Sequence, residues 1–406
     1  MRDFGNVWTR NAIAIYWKTF GKAVKRPGHD KMLSKTPSSI RLSKSCLTDA
    51  EKQAVMAVLD REFLGMGEEV KLFEEELSTF FGRPVACVVN GTAALHLALQ
   101  ACGIGRGDEV LVQSLTYVAS FQAISATGAT PVPCDIDPET LTLDWRDAEK
   151  RITSRTKAVM PVHYSGGVGK LDEIYDFART YGLRVIEDAA HAFGTKYNGQ
   201  LVGSFGDITC FSFDGIKNIT SGEGGCIVSN DEEIMRQVQD ARLLGVEKDT
   251  EKRFQGQRSW DFNVTAQGWR YHMSDIMAAI GRVQLQRFPE LAVKRQNLAR
   301  YYDKKLSQLS IVTPLAHNYE EVVPHIYPIR LADGTSKTSL RQDLLDFGIQ
   351  TGLHYLPNHC LSFFSPSPNY ELPVTARVYP TLMTLPLHPD LSTEQIDLIC
   401  DRLSSY

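Results

Sequence analysis

The chain has 406 residues, 43% of them apolar and 23% charged, with a formal net charge of −4; that is enough for a large core and for two domains. So small an acidic excess gives no electrostatic reason to expect nucleic acid or an anionic membrane as a partner, and no apolar run approaches the roughly 20 residues that a membrane-spanning helix needs. The eight cysteines are scattered without a Cys-x-x-Cys pair, which argues against a disulfide framework or a zinc site and fits a reducing, cytoplasmic setting.

Residues 1–32 read as a basic extension. Seven Lys or Arg stand against two Asp in the first 31 residues, around a short apolar patch from Ala12 to Trp17. That composition suits a transit or membrane-surface peptide, or an unstructured extension ahead of a start at Met32; the second is the expectation adopted. From Ile40 the pattern becomes regular. Thr48-Asp49-Ala50-Glu51 is a capping-box signature followed by Val55, Val58 and Leu59 at helical spacing. A second amphipathic helix is predicted near 68–80, with Val70, Phe73, Leu77 and Phe80 on one face. Strand-like runs at 85–89, 109–113, 131–134, 158–163 and 184–187 then alternate with helix-like segments, which predicts a mainly parallel sheet covered by helices. Two further β-prone runs follow at 208–213 and 226–229. Past Pro289 the sequence changes character, with a charged helix at 293–309, Pro-rich connections and a last helix near 393–403. The expected organisation is a large domain over 33–288 and a smaller C-terminal α+β domain over 289–406.

Several residues in the turns after these strands are candidates for chemistry. The stretch from Val85 to Leu95 reads as strand, tight turn and helix start, so it places free backbone N–H groups where a phosphate can sit, with Thr92 adding a hydroxyl; a plain helix cap is the alternative. Gly103-Ile104-Gly105-Arg106-Gly107 follows a helix and precedes a strand, the wrong order for a dinucleotide fingerprint. Tyr117 lies just past a strand and is placed either to stack on an aromatic ring or to pack. Asp188 sits at the carboxyl end of the strand 184–187, where open α/β sheets bind ligands. It either pairs with a protonated ring nitrogen or caps a helix, and His191 either meets a phenolic oxygen or is an interior histidine. Lys217 stands in a turn between two β-prone runs. A lysine desolvated there is a neutral amine able to attack a carbonyl, whereas one extended to solvent is inert. His354 and His359 stand at a five-residue spacing (i, i+5) with Pro357 between, a poor arrangement for a metal pair; the segment reads as a substrate-facing loop, and no metal is expected.

Taken together, a phosphate seat, an aromatic lid, a carboxylate and a following lysine are the equipment for pyridoxal 5′-phosphate (PLP). The motifs Asn90-Gly-Thr-Ala-Ala-Leu, Glu187-Asp-Ala-Ala-His-Ala-Phe-Gly194, Ser212 to Gly225 and Gly268-Trp-Arg-Tyr-His-Met-Ser-Asp275 resemble those of the DegT-type nucleotide-sugar aminotransferases, from about Arg41 to the C-terminus. The resemblance implies an α/β fold-type I PLP enzyme with a mainly parallel seven-stranded sheet, and a homodimer with shared active sites. By the same resemblance Lys217 matches the Schiff-base lysine and Asp188 the partner of the pyridinium nitrogen, with His191 near the ring hydroxyl. Gly91, Thr92, Ala93 and Ser212 match phosphate contacts, and Tyr117 the stacking aromatic. Two positions depart from the family pattern. Asp214 stands where His or Tyr is frequent, which puts the substrate side of Lys217 in doubt. Arg270 replaces an Asn that reaches the phosphate from the other subunit, so it either strengthens that contact or turns to the substrate's diphosphate. His354 and Tyr355 complete the expected substrate contacts.

The implied reaction is transfer of an amino group from L-glutamate to a nucleotide-linked keto sugar for O-antigen, capsule or a related glycan. The Lys-Asn-Ile-Thr-Ser-Gly-Glu-Gly-Gly form looks more like enzymes acting on 4-keto-6-deoxy sugars than on 3-keto sugars. A PLP sugar dehydratase of the same fold would lack Lys217. A non-catalytic regulator would be expected to lose Lys217 or Asp188, and both are present.

Overall fold

The computed structural model describes residues 39–365 and 370–406; the extension expected at 1–32 lies outside them. Strands β1 (Val85–Val88), β2 (Glu109–Gln113), β3 (Thr130–Cys134), β4 (Thr156–Met160) and β5 (Arg184–Asp188) form where the apolar runs predict them. After a hairpin of β6 (Lys196–Tyr197) and β7 (Gln200–Leu201), β8 (Ile208–Ser212) and β9 (Gly225–Ser229) complete a seven-stranded sheet in the order β1-β9-β8-β5-β4-β2-β3. All neighbouring pairs are parallel except those of β9, which runs antiparallel to both β1 and β8. The strands read as continuous apolar runs because both faces are covered. Along β1, for example, Ala86 and Val88 pack under the helix Gly91–Ala101, while Val85 and Cys87 face the helix Glu68–Phe81.

The capping box is present at Thr48 and Glu51, which starts the helix Asp49–Asp60. Its buried face is narrower than the spacing suggests: Val58 is fully buried, whereas Leu59 is exposed. The predicted strand 158–163 is shifted. β4 starts at Thr156 and ends at Met160, and the last three residues carry the chain on past the strand's carboxyl end, where Val162 bridges Asp188.

The largest departure from expectation is at Pro289. The helix Asp275–Leu306 runs through it for 32 residues, although an interior proline removes one backbone hydrogen bond and costs about 3 kcal/mol. Burial on both sides of the proline outweighs that cost: Ala278, Ala279 and Phe288 pack before it, Leu291, Leu298 and Tyr302 after it. The helix thereby links the large sheet to an antiparallel one of β10 (Val312–Pro314), β11 (Tyr327–Leu331) and β12 (Leu382–Leu385). The core of this second sheet includes Tyr302, Ile329, Leu340 and Ile396, and also Ile40, which bridges Ile349. The start of the described chain therefore packs with the C-terminal region. No helix among the described residues is long and apolar enough to cross a membrane.

Candidate active site

The carboxyl ends of β1, β2, β5 and β8 open on one cavity of about 400 Å³, the location that strand polarity favours for ligands. At its β1 side, Asn90 caps the helix Gly91–Ala101 by accepting a hydrogen bond from the Ala93 N–H at 2.8 Å. Gly91 and Thr92 form the wall, whereas Ala93 lies just behind it with its N–H engaged by the cap. Ser212, at the end of β8, completes this corner. A Cβ at Gly91 would stand 2.7 Å from the Ser212 Cβ, so glycine is what lets the helix N-terminus and the Ser212 hydroxyl approach one anion-sized space.

Asp188 ends β5 and is nearly fully buried. Its carboxylate accepts from the Ser120 hydroxyl at 2.7 Å and from the Ala190 N–H at 3.2 Å. Both donors are neutral, so the charge keeps its capacity for a cationic partner. Across the cavity, His191 Nε2 is 3.0 Å from the Tyr355 hydroxyl, and its ring lies 4.4 Å from that of His325. Burial, with Lys217 nearby, holds His191 well below the usual histidine range, and the same causes act on His325. Burial likewise lowers His354 to about 4; its Nδ1 is 2.8 Å from the Thr384 hydroxyl. These three imidazoles are therefore neutral at pH 7.

Lys217 lies on the turn after β8, where its N–H closes the turn on the Asp214 carbonyl at 3.0 Å. Burial lowers the amine to about 8, against the opposing pull of the Asp188 and Asp214 carboxylates. The ammonium thus gives up its proton far more readily than that of an exposed lysine, as a nucleophilic amine requires. Asp214 and Glu223 face the same cavity, and burial together with Asp214 raises the Glu223 carboxyl. Tyr117 stands at the mouth, 58% exposed, with its ring 5.5 Å from that of Tyr355.

The cavity walls thus bring together Gly91, Thr92, Tyr117, Asp188, His191, Ser212, Asp214, Lys217, His354 and Tyr355. Arg270 is not among them; it is exposed and bridges Leu243 on the segment before the helix Asp275–Leu306. Sequence reasoning missed Ser120, which supports Asp188 from three residues past Tyr117, and Glu223, which lies inside the Ser212 to Gly225 motif already singled out. It also missed His325, which has no local signal because it arrives from a Pro-rich connection.

The model of the DegT/DnrJ/EryC1/StrS aminotransferase family matches residues 45–404. A spore coat polysaccharide biosynthesis protein, SpsC of Bacillus subtilis, is 36% identical over 362 residues, covering 87% of this chain and 93% of that protein. Among solved structures, the sugar aminotransferase Spr1654 of Streptococcus pneumoniae in its PLP form superposes with a TM-score of 0.83 at 31% identity, over 90% of this chain and 98% of that one. Helicobacter pylori PseC, an aminotransferase of pseudoaminic acid biosynthesis, gives 0.83 at 28% identity over the same shares. Matched from Ser45 almost to its C-terminus, this chain belongs to the DegT/DnrJ/EryC1/StrS aminotransferase family.

Proposed function

We propose that this protein moves an amino group from L-glutamate to a nucleotide-linked keto sugar, a 4-keto-6-deoxy sugar in particular, for O-antigen, capsule or a related surface glycan. As a member of its family it is a PLP-dependent transaminase of sugar metabolism. The observation that carries the finer reading is the meeting of Lys217, Asp188 and the capped helix N-terminus in one cavity.

The residues present fit PLP. The Gly91–Ser212 approach leaves a phosphate-sized corner at a helix N-terminus, where Thr92 adds a hydroxyl. Asp188 is a buried carboxylate whose hydrogen-bond partners are neutral, so a protonated ring nitrogen would satisfy it. His191 Nδ1 is buried without a partner, while Nε2 is oriented by Tyr355. When bound, PLP supplies the electron-withdrawing ring that lets an amine and a carbon-bound proton be exchanged.

In this arrangement Lys217 would hold the cofactor through Nζ, and its amine, when free, would serve as the base and then the acid that moves a proton. Asp188 would pair with a protonated ring nitrogen, Tyr117 would cover the ring and exclude water, and His191 with Tyr355 would offer a hydrogen bond to the ring hydroxyl. Asp214, Glu223 and His354 are placed to accept or donate hydrogen bonds to sugar hydroxyls. Arg270, exposed on its own chain, is assigned to the phosphate or diphosphate of a neighbouring copy. That assignment makes the active form a homodimer. Trp260, Phe262 and Val264, large apolar side chains exposed on the same segment, support it, because exposed apolar side chains are candidates for an interface. A monomeric mass in sedimentation equilibrium of fully active protein would remove this part of the reading.

The substrate is tested by loading the protein as its pyridoxamine form and offering 4-keto and 3-keto sugar nucleotides in parallel. Return of the lysine-linked PLP absorbance with a 4-keto-6-deoxy compound, and L-glutamate as the best donor in the reverse half, is the expected result. Turnover with 3-keto compounds alone would refute the 4-keto assignment, and no turnover with any member would refute the nucleotide-sugar assignment.

A further inference from the structure

Among the described residues no carboxylate pairs with the buried guanidinium of Arg295. It lies on the helix Asp275–Leu306 at 2% exposure, and its hydrogen bonds go only to the carbonyls of Pro324 at 3.5 Å and His325 at 3.1 Å. Its Nε has no partner. Buried charges are normally paired, because an uncompensated one is costly. Other cations on or near this helix are matched: Arg287 and Arg282 pair with Glu51, Glu69 and Glu76, and Lys44 pairs with Asp390. Arg295 and Lys217 carry no ion pair among the described residues, and the two line one space.

Lys217 and Arg295 both line a small space of about 10 Å³, distinct from the cofactor cavity that Lys217 also lines, together with Ser45, Cys46, Gln284 and Leu291. The groups facing Lys217 are arranged asymmetrically. In front stand the carboxylates of Asp188, Asp214 and Glu223 and the neutral imidazoles of His191, His325 and His354. Behind stands Arg295, with the Cys46 thiol held neutral mainly by burial. Two carboxylates so close would by themselves favour the ammonium form and hold Lys217 protonated. We infer that Arg295 is a positioning residue for Lys217: its fixed positive charge behind the lysine offsets the carboxylates in front and favours the uncharged amine that transfer requires. The same guanidinium fixes the backbone of His325, whose ring packs on His191, so it also anchors one wall of the site. Burial lowers Arg295 itself only to about 10, which leaves it charged at any working pH.

The inference rests on Lys217 being the reacting amine, and the two are separable by experiment. Borohydride reduction of the loaded wild-type protein followed by peptide mass spectrometry reads whether PLP attaches at Lys217. Competitive acetylation of the full-length, PLP-free protein across a pH series then reads the ionisation of the Lys217 peptide in wild type, Arg295→Gln, Arg295→Met and Arg295→Lys. The expected result is an upward shift of about half a unit or more in both neutral variants, with the acid limb of the amine-transfer pH profile moving the same way and Arg295→Lys restoring both. An uncompensated charge should be removable without loss of the fold. Failure of both neutral variants to fold, or an unmoved Lys217 profile in folded ones, overturns the role given to Arg295. If PLP is not found on Lys217, the site assignment falls first.

Discussion

Replacing Lys217 with alanine should lower the rate of amine transfer by at least about 10³-fold, close to 4 kcal/mol of barrier, because one side chain supplies both the covalent anchor and the proton carrier. The fold should be unaffected, since the lysine makes no side-chain hydrogen bond that secures its neighbours; only its backbone N–H closes the turn on Asp214. PLP affinity should fall but not vanish, because the helix N-terminus, Ser212 and Asp188 remain. The check is twofold. Borohydride should fix PLP at residue 217 in the wild type and nowhere in the variant, and single-turnover transfer from L-glutamate should be lost. A variant that kept its lysine-linked absorbance, or more than a few per cent of its rate, would remove Lys217 from the chemistry.

Changing Asp188 to asparagine should cost about 10²–10³-fold in the same step, with only a small change in thermal stability. The geometry explains why the two effects separate. The Ala190 N–H donates to one carboxylate oxygen and the Ser120 hydroxyl to the other. An asparagine keeps its oxygen toward Ala190 and turns its NH₂ toward Ser120, whose hydroxyl can rotate to accept and donate instead to the Thr116 hydroxyl 3.1 Å away. Every hydrogen bond survives while the charge that would hold the ring nitrogen protonated is gone. Full activity in Asp188→Asn would show that this carboxylate does not act on the cofactor; a large drop in melting temperature would show that its role is to hold the strand end.

Much of this was readable from the chain. The strands of the large sheet are short apolar runs because both faces are covered, and such runs keep their identity whatever packs on them. The candidate site was readable for a related reason. Asp188, Ser212 and Lys217 each lie at or just after the carboxyl end of a strand, so a correct strand assignment already places them on one rim. The supporting groups were not readable. Ser120 reaches Asp188 across 68 residues of chain, and Tyr355 reaches His191 across 164; no local pattern encodes such a pairing. Pro289 misled for the opposite reason. The change of character past it suggested a helix starting at 293, whereas one helix runs from Asp275 to Leu306 because tertiary burial on both sides of the proline outweighs its local cost.

The sequence by itself determined the alternation of strands and helices, the glycine and asparagine of the helix start at Asn90-Gly91, and the lysine-bearing turn, because each depends on neighbours a few residues away. Only the tertiary structure decided that Lys217 is desolvated, that carboxylates stand on one side of it and an unpaired guanidinium on the other, and that the imidazoles around it are neutral. These properties belong to no single segment. They arise from the low dielectric and the charge positions created when β5, β8, the long helix Asp275–Leu306 and the two separate loops carrying His325 and Tyr355 come together, and an ionisation state is set by that whole surrounding rather than by the residue that carries it.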